Sequence, residues 1–343
     1  MTIGIVKDDI YLEHITDSYH PENPDRLKQI YSMLKTIDNS DIVYISPRMA
    51  THEEIALNHD GFYIESIAST KGKEKRLDPD TVTSPKSYEA SCMAVGGVLE
   101  LADKLVAGEI DTGFALVRPP GHHAERNKAM GFCIFNNIAV CARYLEKKYN
   151  FTRILIVDFD LHHGNGTQHS FYRDSKILYF STHEYPYYPG TGWYEEVGED
   201  EGKGYTVNVP LSHGMGDPDY SYIFKEILVP VADLYKPEIV LVSAGFDTHH
   251  NDPLGGMKVT ENGFAEMAGI LLDISKKHCN GKTLFVLEGG YDLKGLTNAV
   301  KHVIMEMKGT PASTHDKKGN PSSEVIQVVD KVKKTMQPYW PGL

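Results

Sequence analysis

RILIVDFDLHHGNGT, residues 153–167, begins as an uninterrupted apolar run from Ile154 to Val157 and then turns abruptly polar and glycine-rich. A short β-branched run bounded by turn residues is the pattern of a strand buried on both faces of a parallel sheet. The same transition recurs along the chain. GFALVR (113–118) runs into PPGHHA, KILYFS (176–181) into THEYPYYPGTG, EIVLVSAG (238–245) into FDTHH, and TLFVLE (283–288) into GGYDL. Between these runs lie amphipathic stretches of helix length. Residues 87–107 place Cys92, Val95, Val98, Leu99, Ala102 and Leu105 at helical spacing. Residues 260–278 open on Thr260, a good N-cap, and stop before Asn280-Gly281. Alternating strands and helices predict one doubly wound α/β domain with a mainly parallel sheet between helices. That domain is expected over residues 1–308, with 309–343 forming a polar loop, a short helix and a C-terminal tail packed on it. In such sheets ligands bind at the carboxyl ends of the strands, so the polar motifs are expected to meet on one rim.

Composition narrows the function. The 343 residues carry 47 acidic against 35 basic side chains, a formal net charge of −12. That balance argues against binding nucleic acid through a basic surface. The apolar share of 41% and charged share of 24% are those of an ordinary globular protein. No apolar stretch approaches the ~18 residues of a membrane span. The opening MTIGIVKDDIYLEH has neither the basic leader nor the apolar run of a secretory signal. Cys92, Cys133, Cys141 and Cys279 form no C-x-x-C pair and read as core thiols of a cytoplasmic protein. Oligomeric state is not encoded in any of these features.

The motifs carry metal and proton-transfer chemistry. In an extended segment alternate side chains point the same way, so Asp158, Asp160 and His162 share a face suited to a divalent metal. Two carboxylates and an imidazole neutralise a dication and leave positions open, as a catalytic site requires. Asp247, at another strand end, is the candidate third ligand, with an Asx-turn role as the alternative. His249 and His250 are rivals for the metal, against a reading as solvated loop histidines. The adjacent imidazoles of His122 and His123 suit proton transfer near neutral pH. Tyr291, after Gly289-Gly290, is placed to donate to a developing oxyanion, or else to pack.

RPPGHHA, GFCIFNN, DFDLHHGNGTQ, STHEYPYYPGTG, SAGFD and EGGY, in this order, resemble the motifs of the zinc-dependent histone deacetylase superfamily. That group includes acetylpolyamine amidohydrolases and acetoin-utilisation proteins and shares the arginase–deacetylase fold. The resemblance runs from HPENPDR (20–26) to EGGYDL (288–293). It implies one zinc ion held by Asp160, His162 and Asp247, with Fe2+ or Co2+ as substitutes. Arginases, which hold two manganese ions, have an Asp-x-His-x-Asp pattern; here Gly164 stands two past His162. The resemblance makes His123 the general base and His122 its electrostatic partner, paired with Asp158. Asn165 stands where class I has aspartate and class II asparagine, which makes the chain similar to class II. Tyr291 matches the residue that polarises the acyl carbonyl. Phe132 and Tyr188 match the slot for the lysine methylenes, the Gly131 carbonyl an acceptor at its base, and Asp60 a rim residue that holds the substrate backbone. A K+ ion is implied at the carbonyls of Asp158, Asp160, His162, Ser181 and Thr182. A polyamine-selective relative has glutamate seven residues past the third ligand; Leu254 stands there here. The implied substrate is acetyl-lysine in a protein or peptide, with small acetylated amines such as acetylpolyamines as the alternative.

Overall fold

The computed structural model describes residues 1–310 and 319–343, so residues 311–318 of the polar stretch expected after residue 308 lie outside it. The strands in chain order are β1 (Ile3–Val6), β2 (Ile42–Ile45), β3 (Lys75–Arg76), β4 (Val82–Thr83), β5 (Thr112–Ala115), β6 (Ile154–Asp158), β7 (Ile177–Glu184), β8 (Thr206–Leu211), β9 (Ile239–Ala244) and β10 (Thr283–Leu287). β3 and β4 pair as a small antiparallel ribbon. The other strands form an eight-stranded sheet in the order β2-β1-β5-β10-β9-β6-β7-β8, with parallel neighbours throughout.

Each of the five apolar runs overlaps a strand, and those strands are buried on both faces because helices cover the sheet. The long helix Ser87–Val106 occupies the first amphipathic stretch. The second is the helix Glu261–Cys279, capped by Thr260, whose side chain accepts from Asn262 N–H, and closed by Asn280 in the left-handed conformation. A last helix, Ser323–Met336, buries Val325, Val329, Val332 and Met336 and packs against β8. The four cysteines are buried free thiols. Among the described residues no helix is long and apolar enough to cross a membrane.

Two features of this sheet position the site. β6 and β9 are neighbours, yet the chain leaves β6 toward β7 and β9 toward β10, in opposite directions across the sheet. A crevice opens at the carboxyl ends of such a strand pair. Register then aligns the ends: Asp158 pairs with Ser243 and Ser181, and Ala244 with Leu287. The segments that follow β6, β9 and β10 therefore start at one level.

A buried charge cluster fastens the amino-terminal segment to this rim. Glu22, Arg26 and Arg118 are all without solvent exposure. Arg26 Nη1 lies 3.0 Å from Glu22 Oε1, and Arg118 grips both Glu22 oxygens through Nε and Nη2. Burial alone would disfavour the Glu22 carboxylate, but the two guanidiniums outweigh it and hold its pKa well below the usual range. Arg26 uses its remaining donors on the carbonyls of Gly290 (2.7 Å) and Glu288 (2.5 Å), beyond β10. Removing one partner of such a cluster leaves buried charge uncompensated. Glu22→Gln is expected to lower the unfolding free energy by about 3–5 kcal/mol, measured as a drop in the urea midpoint at unchanged slope. An unshifted midpoint would show that the guanidiniums are satisfied without it.

Candidate active site

The segment after β6 brings Asp160 and His162 into the crevice, and the segment after β9 brings Asp247. One ligand atom from each converges, all within 4.8 Å of one another and all buried. His162 Nδ1 is 3.1 Å from Asp160 Oδ1 and 3.0 Å from Asp247 Oδ2. Other carboxylate contacts are taken by backbone N–H groups: Leu161 donates to Asp247 Oδ1 (2.8 Å) and Gly289 to Asp160 Oδ2 (2.9 Å). These bonds aim the carboxylates inward. Burial and the neighbouring Asp160 charge push the Asp247 pKa up to about 7. Burial also opposes charge on His162, yet its bonds to both aspartates raise it to about 10. Two like charges at such separation in the interior are expensive unless a cation lies between them. The donor set, two oxygens and an imidazole nitrogen, fits one divalent ion with positions left open. Gly289 is required here, since a Cβ would sit 2.4 Å from Asp247 Oδ2 and 2.6 Å from Asp160 Oδ2. At Gly164 a Cβ would lie 2.3 Å from Asp158 Oδ2, so no further carboxylate fits two residues past His162.

His122 and His123 follow the PPG turn after β5, with ring centroids 4.0 Å apart and the planes tilted by 45°. Their partners differ. His122 Nδ1 lies 3.0 Å from Asp158 Oδ2, which also accepts from the Tyr179 hydroxyl at 3.2 Å. Burial works against a charge on His122, but Asp158 and Asp160 outweigh it and raise its pKa to about 10. His123 Nδ1 lies 2.8 Å from Asn165 Oδ1, an uncharged partner. Burial and then the charges of His122 and His162 push His123 well below the ordinary imidazole range. One ring is held as a cation and its neighbour as a neutral base.

Tyr291 follows β10. Its ring is edge-on to Phe132 at 5.9 Å, and the Arg26 guanidinium lies 5.1 Å from the ring centre. Burial, followed by the Asp247 charge, pushes the phenol well above its ordinary pKa, which keeps it a proton donor. Tyr188, on the segment after β7, lies 5.1 Å from the His123 ring and 6.1 Å from His162. Phe132 thus borders Tyr291, and Tyr188 borders the ligand residue His162, from different segments. Gly131 and Phe132 both have positive φ, +57° and +68°. Asp80 and Thr81 secure this turn by accepting from Gly131 N (3.1 Å) and Phe132 N (3.0 Å). The Gly131 carbonyl accepts from Cys133 Sγ at 3.2 Å. Leu254 is tied to the rim by its carbonyl, which accepts from the Tyr187 hydroxyl at 2.8 Å. Asp60 begins the helix Gly61–Ala68 and pairs with the exposed Arg126 at 2.7 Å. His249 stays out of the ligand cluster and is buried, not solvated; it packs on His250 at 4.2 Å and on Phe264.

Further residues shape the site without announcing themselves in the sequence. Glu288, buried after β10, accepts from Gly121 N (2.6 Å) and His122 N (3.2 Å), and burial pushes its pKa up to about 7. Asp252 accepts from Tyr291 N (2.6 Å), Asp292 N (3.2 Å) and Leu254 N (3.0 Å), fastening the Tyr291 turn to the Leu254 loop. Glu288 is the first residue of the EGGY motif and Asp252 lies five residues past SAGFD, and those places in the sequence are the only signal.

Comparison with known proteins bears on family and fold. The histone deacetylase domain profile matches residues 20–307. A probable deacetylase of Archaeoglobus fulgidus is 39% identical over 298 residues, covering 86% of this chain and 83% of that protein. Histone deacetylase 5 of Arabidopsis thaliana is 38% identical over 99% of this chain, which spans 54% of that longer protein. A crystal structure of the HDA15 HD domain superposes with a TM-score of 0.92 at 37% identity, covering 99% of this chain and 95% of that one.

Because three N–H groups depend on Asp252, Asp252→Ala is expected to free the Tyr291 turn. Turnover of an acetylated substrate should fall about 10–100-fold, while metal content by elemental analysis stays unchanged. Lost metal with the same fall would place Asp252 in ligand positioning instead.

Proposed function

This chain belongs to the histone deacetylase family, and we propose that it removes the acetyl group from lysine side chains of peptides or proteins, with one zinc ion held by Asp160, His162 and Asp247. The observation that carries this reading is the meeting of three unlike groups on one rim: a buried Asp₂His ligand set, adjacent histidines with a carboxylate partner for one and an amide partner for the other, and a tyrosine packed edge-on to Phe132. A zinc ion held by Asp160, His162 and Asp247 would supply Lewis acidity, the chemistry that makes water nucleophilic at neutral pH.

The protein's own groups do the rest. Phe132 and Tyr188 line the slot for the methylenes of the lysine. His123, whose Nδ1 is engaged by Asn165, takes the proton of the attacking water at Nε2. His122, kept cationic by Asp158, stabilises the negative charge that develops beside it. The Tyr291 hydroxyl donates to the oxyanion. His123 then passes its proton to the departing lysine nitrogen as the C–N bond breaks, releasing acetate and the free amine.

Finer assignments rest on single residues. Asn165 supports a class II-like enzyme. Gly164 supports a single metal, since it leaves no room for another carboxylate. Oxygen-rich ligation is not strongly zinc-selective, so Fe2+ or Co2+ would also sustain activity. A K+ ion at the main-chain carbonyls of Asp158, Asp160, His162, Ser181 and Thr182 is proposed on family membership alone. Leu254 offers no charge to a polyamine and favours lysine.

The test is acetate release by the zinc-loaded protein from an acetyl-lysine peptide and from an acetylated polyamine. A higher kcat/KM on the peptide is expected. A higher value on the polyamine would assign the enzyme to small-amine chemistry and remove Leu254 as a determinant. Tyr291→Phe should lower kcat by about 10²–10³ with zinc still bound by metal analysis; near-normal turnover would strip Tyr291 of its role.

A further inference from the structure

An asparagine beside a catalytic histidine poses a problem that an aspartate does not. Its side chain offers a carbonyl on one branch and an NH₂ on the other. With the carbonyl toward His123 Nδ1, that nitrogen carries the proton and Nε2 keeps its lone pair. With the NH₂ toward Nδ1, the proton moves to Nε2 and the base is lost. Something must decide which branch faces the imidazole.

The surroundings of Asn165 decide it. Oδ1 meets His123 Nδ1 at 2.8 Å. Around Nδ2 stand only acceptors: the carboxylate of Glu125, the His123 carbonyl at 3.4 Å and the Met130 sulfur at 3.5 Å. Reversing the amide would set its oxygen against all three. Of these, Glu125 alone carries charge and lies at full hydrogen-bond distance. Its backbone is fixed by a bond to Lys128 O (2.9 Å) and by its carbonyl, which lies 3.0 Å from His59 Nδ1. Its Oε1 also lies 2.8 Å from Nδ1 of the half-exposed His169. Partial burial raises the Glu125 pKa, but the His169 and Asn165 contacts outweigh it and leave it ionised and acceptor-only.

We propose that Glu125 is a positioning residue that locks the Asn165 amide, and through it holds His123 as the Nδ1–H tautomer with Nε2 free to act as base. This rests on the reading of His123 as the general base. It carries a consequence that a packing role would not. An aspartate at 165 would need no orienting, because both its oxygens accept. Beside Glu125, however, it would create a carboxylate pair at hydrogen-bond distance. The effect of removing Glu125 must therefore change sign with the residue at 165.

The experiment compares Glu125→Ala, Asn165→Asp and the double variant as full-length zinc-loaded proteins on the acetyl-lysine peptide. Each single substitution is expected to lower kcat about 10–100-fold, with little change in KM. The double variant should recover at least tenfold over either single one, a coupling that a double-mutant cycle isolates. Losses that simply add would overturn the proposal. Imidazole ¹⁵N NMR, with the His123 signal assigned by its absence in His123→Ala, reads the tautomer independently of turnover. Nδ1–H is expected in the native chain and in the double variant, and a mixture in Glu125→Ala; an unaltered tautomer in Glu125→Ala would overturn the proposal. Glu125→Gln keeps the volume should the alanine variant not fold, and its reversible amide should likewise give mixed tautomers. If the native protein releases no acetate from any substrate, the functional reading fails while the NMR still decides the role of Glu125.

Discussion

Two buried carboxylates, Asp160 and Asp247, face each other across His162, with the three ligand atoms within 4.8 Å of one another. In a medium of low polarity such an arrangement is costly, and much of the surrounding structure is organised around holding it. The Leu161 and Gly289 N–H groups bind carboxylate oxygens and turn the remaining ones inward. A glycine at 289 lets the backbone come that close. The register of β6, β9 and β10 brings the three contributing segments to one level, and the divergence of the chain at β6 and β9 opens the crevice between them. Two carboxylates and an imidazole converging in this way are a donor set that a divalent cation would fill.

The same economy separates two identical side chains. His122 and His123 are adjacent and both buried, yet one is paired with a carboxylate and the other with an amide. A charged partner raises an imidazole pKa, while burial with only an amide to face lowers it. Environments that push neighbouring groups apart are how a site assigns acid and base roles. The charge cluster of Glu22, Arg26 and Arg118 performs a related task at longer range. By binding the carbonyls of residues 288 and 290, Arg26 holds the turn that carries Tyr291.

The core of the sheet was legible in the sequence because strands buried on both faces become continuous apolar runs. The strands β1, β2 and β8 were not. The apolar run of β1 stops at Lys7, whereas that of the equally short β5 continues through Val117; β2 is an edge strand with Val43 and Tyr44 exposed, and β8 carries Asn208 and Pro210, which break the run. Pro210 is tolerated because β8 lies at the sheet edge. The metal and histidine positions stood in compact motifs whose residue types already imply their chemistry, and the family resemblance supplied their roles. Glu22, Arg26, Glu125 and Asp252 could not be found that way. Arg26 acts on carbonyls more than 260 residues away in the chain, and Asp252 on N–H groups about 40 residues ahead. Backbone partners leave no trace in side-chain identity. A loop position after β9 suggests a histidine open to solvent, but His249 lies against His250 and stacks on Phe264, which buries it.

The account stands on the claim that one divalent ion sits between Asp160, His162 and Asp247. Anomalous diffraction at the zinc absorption edge, on crystals of the zinc-loaded protein, addresses it directly. A single strong peak within bonding distance of all three side chains is the predicted result. A peak elsewhere, a second peak beside the first, or none at all in crystals shown to contain zinc would contradict it.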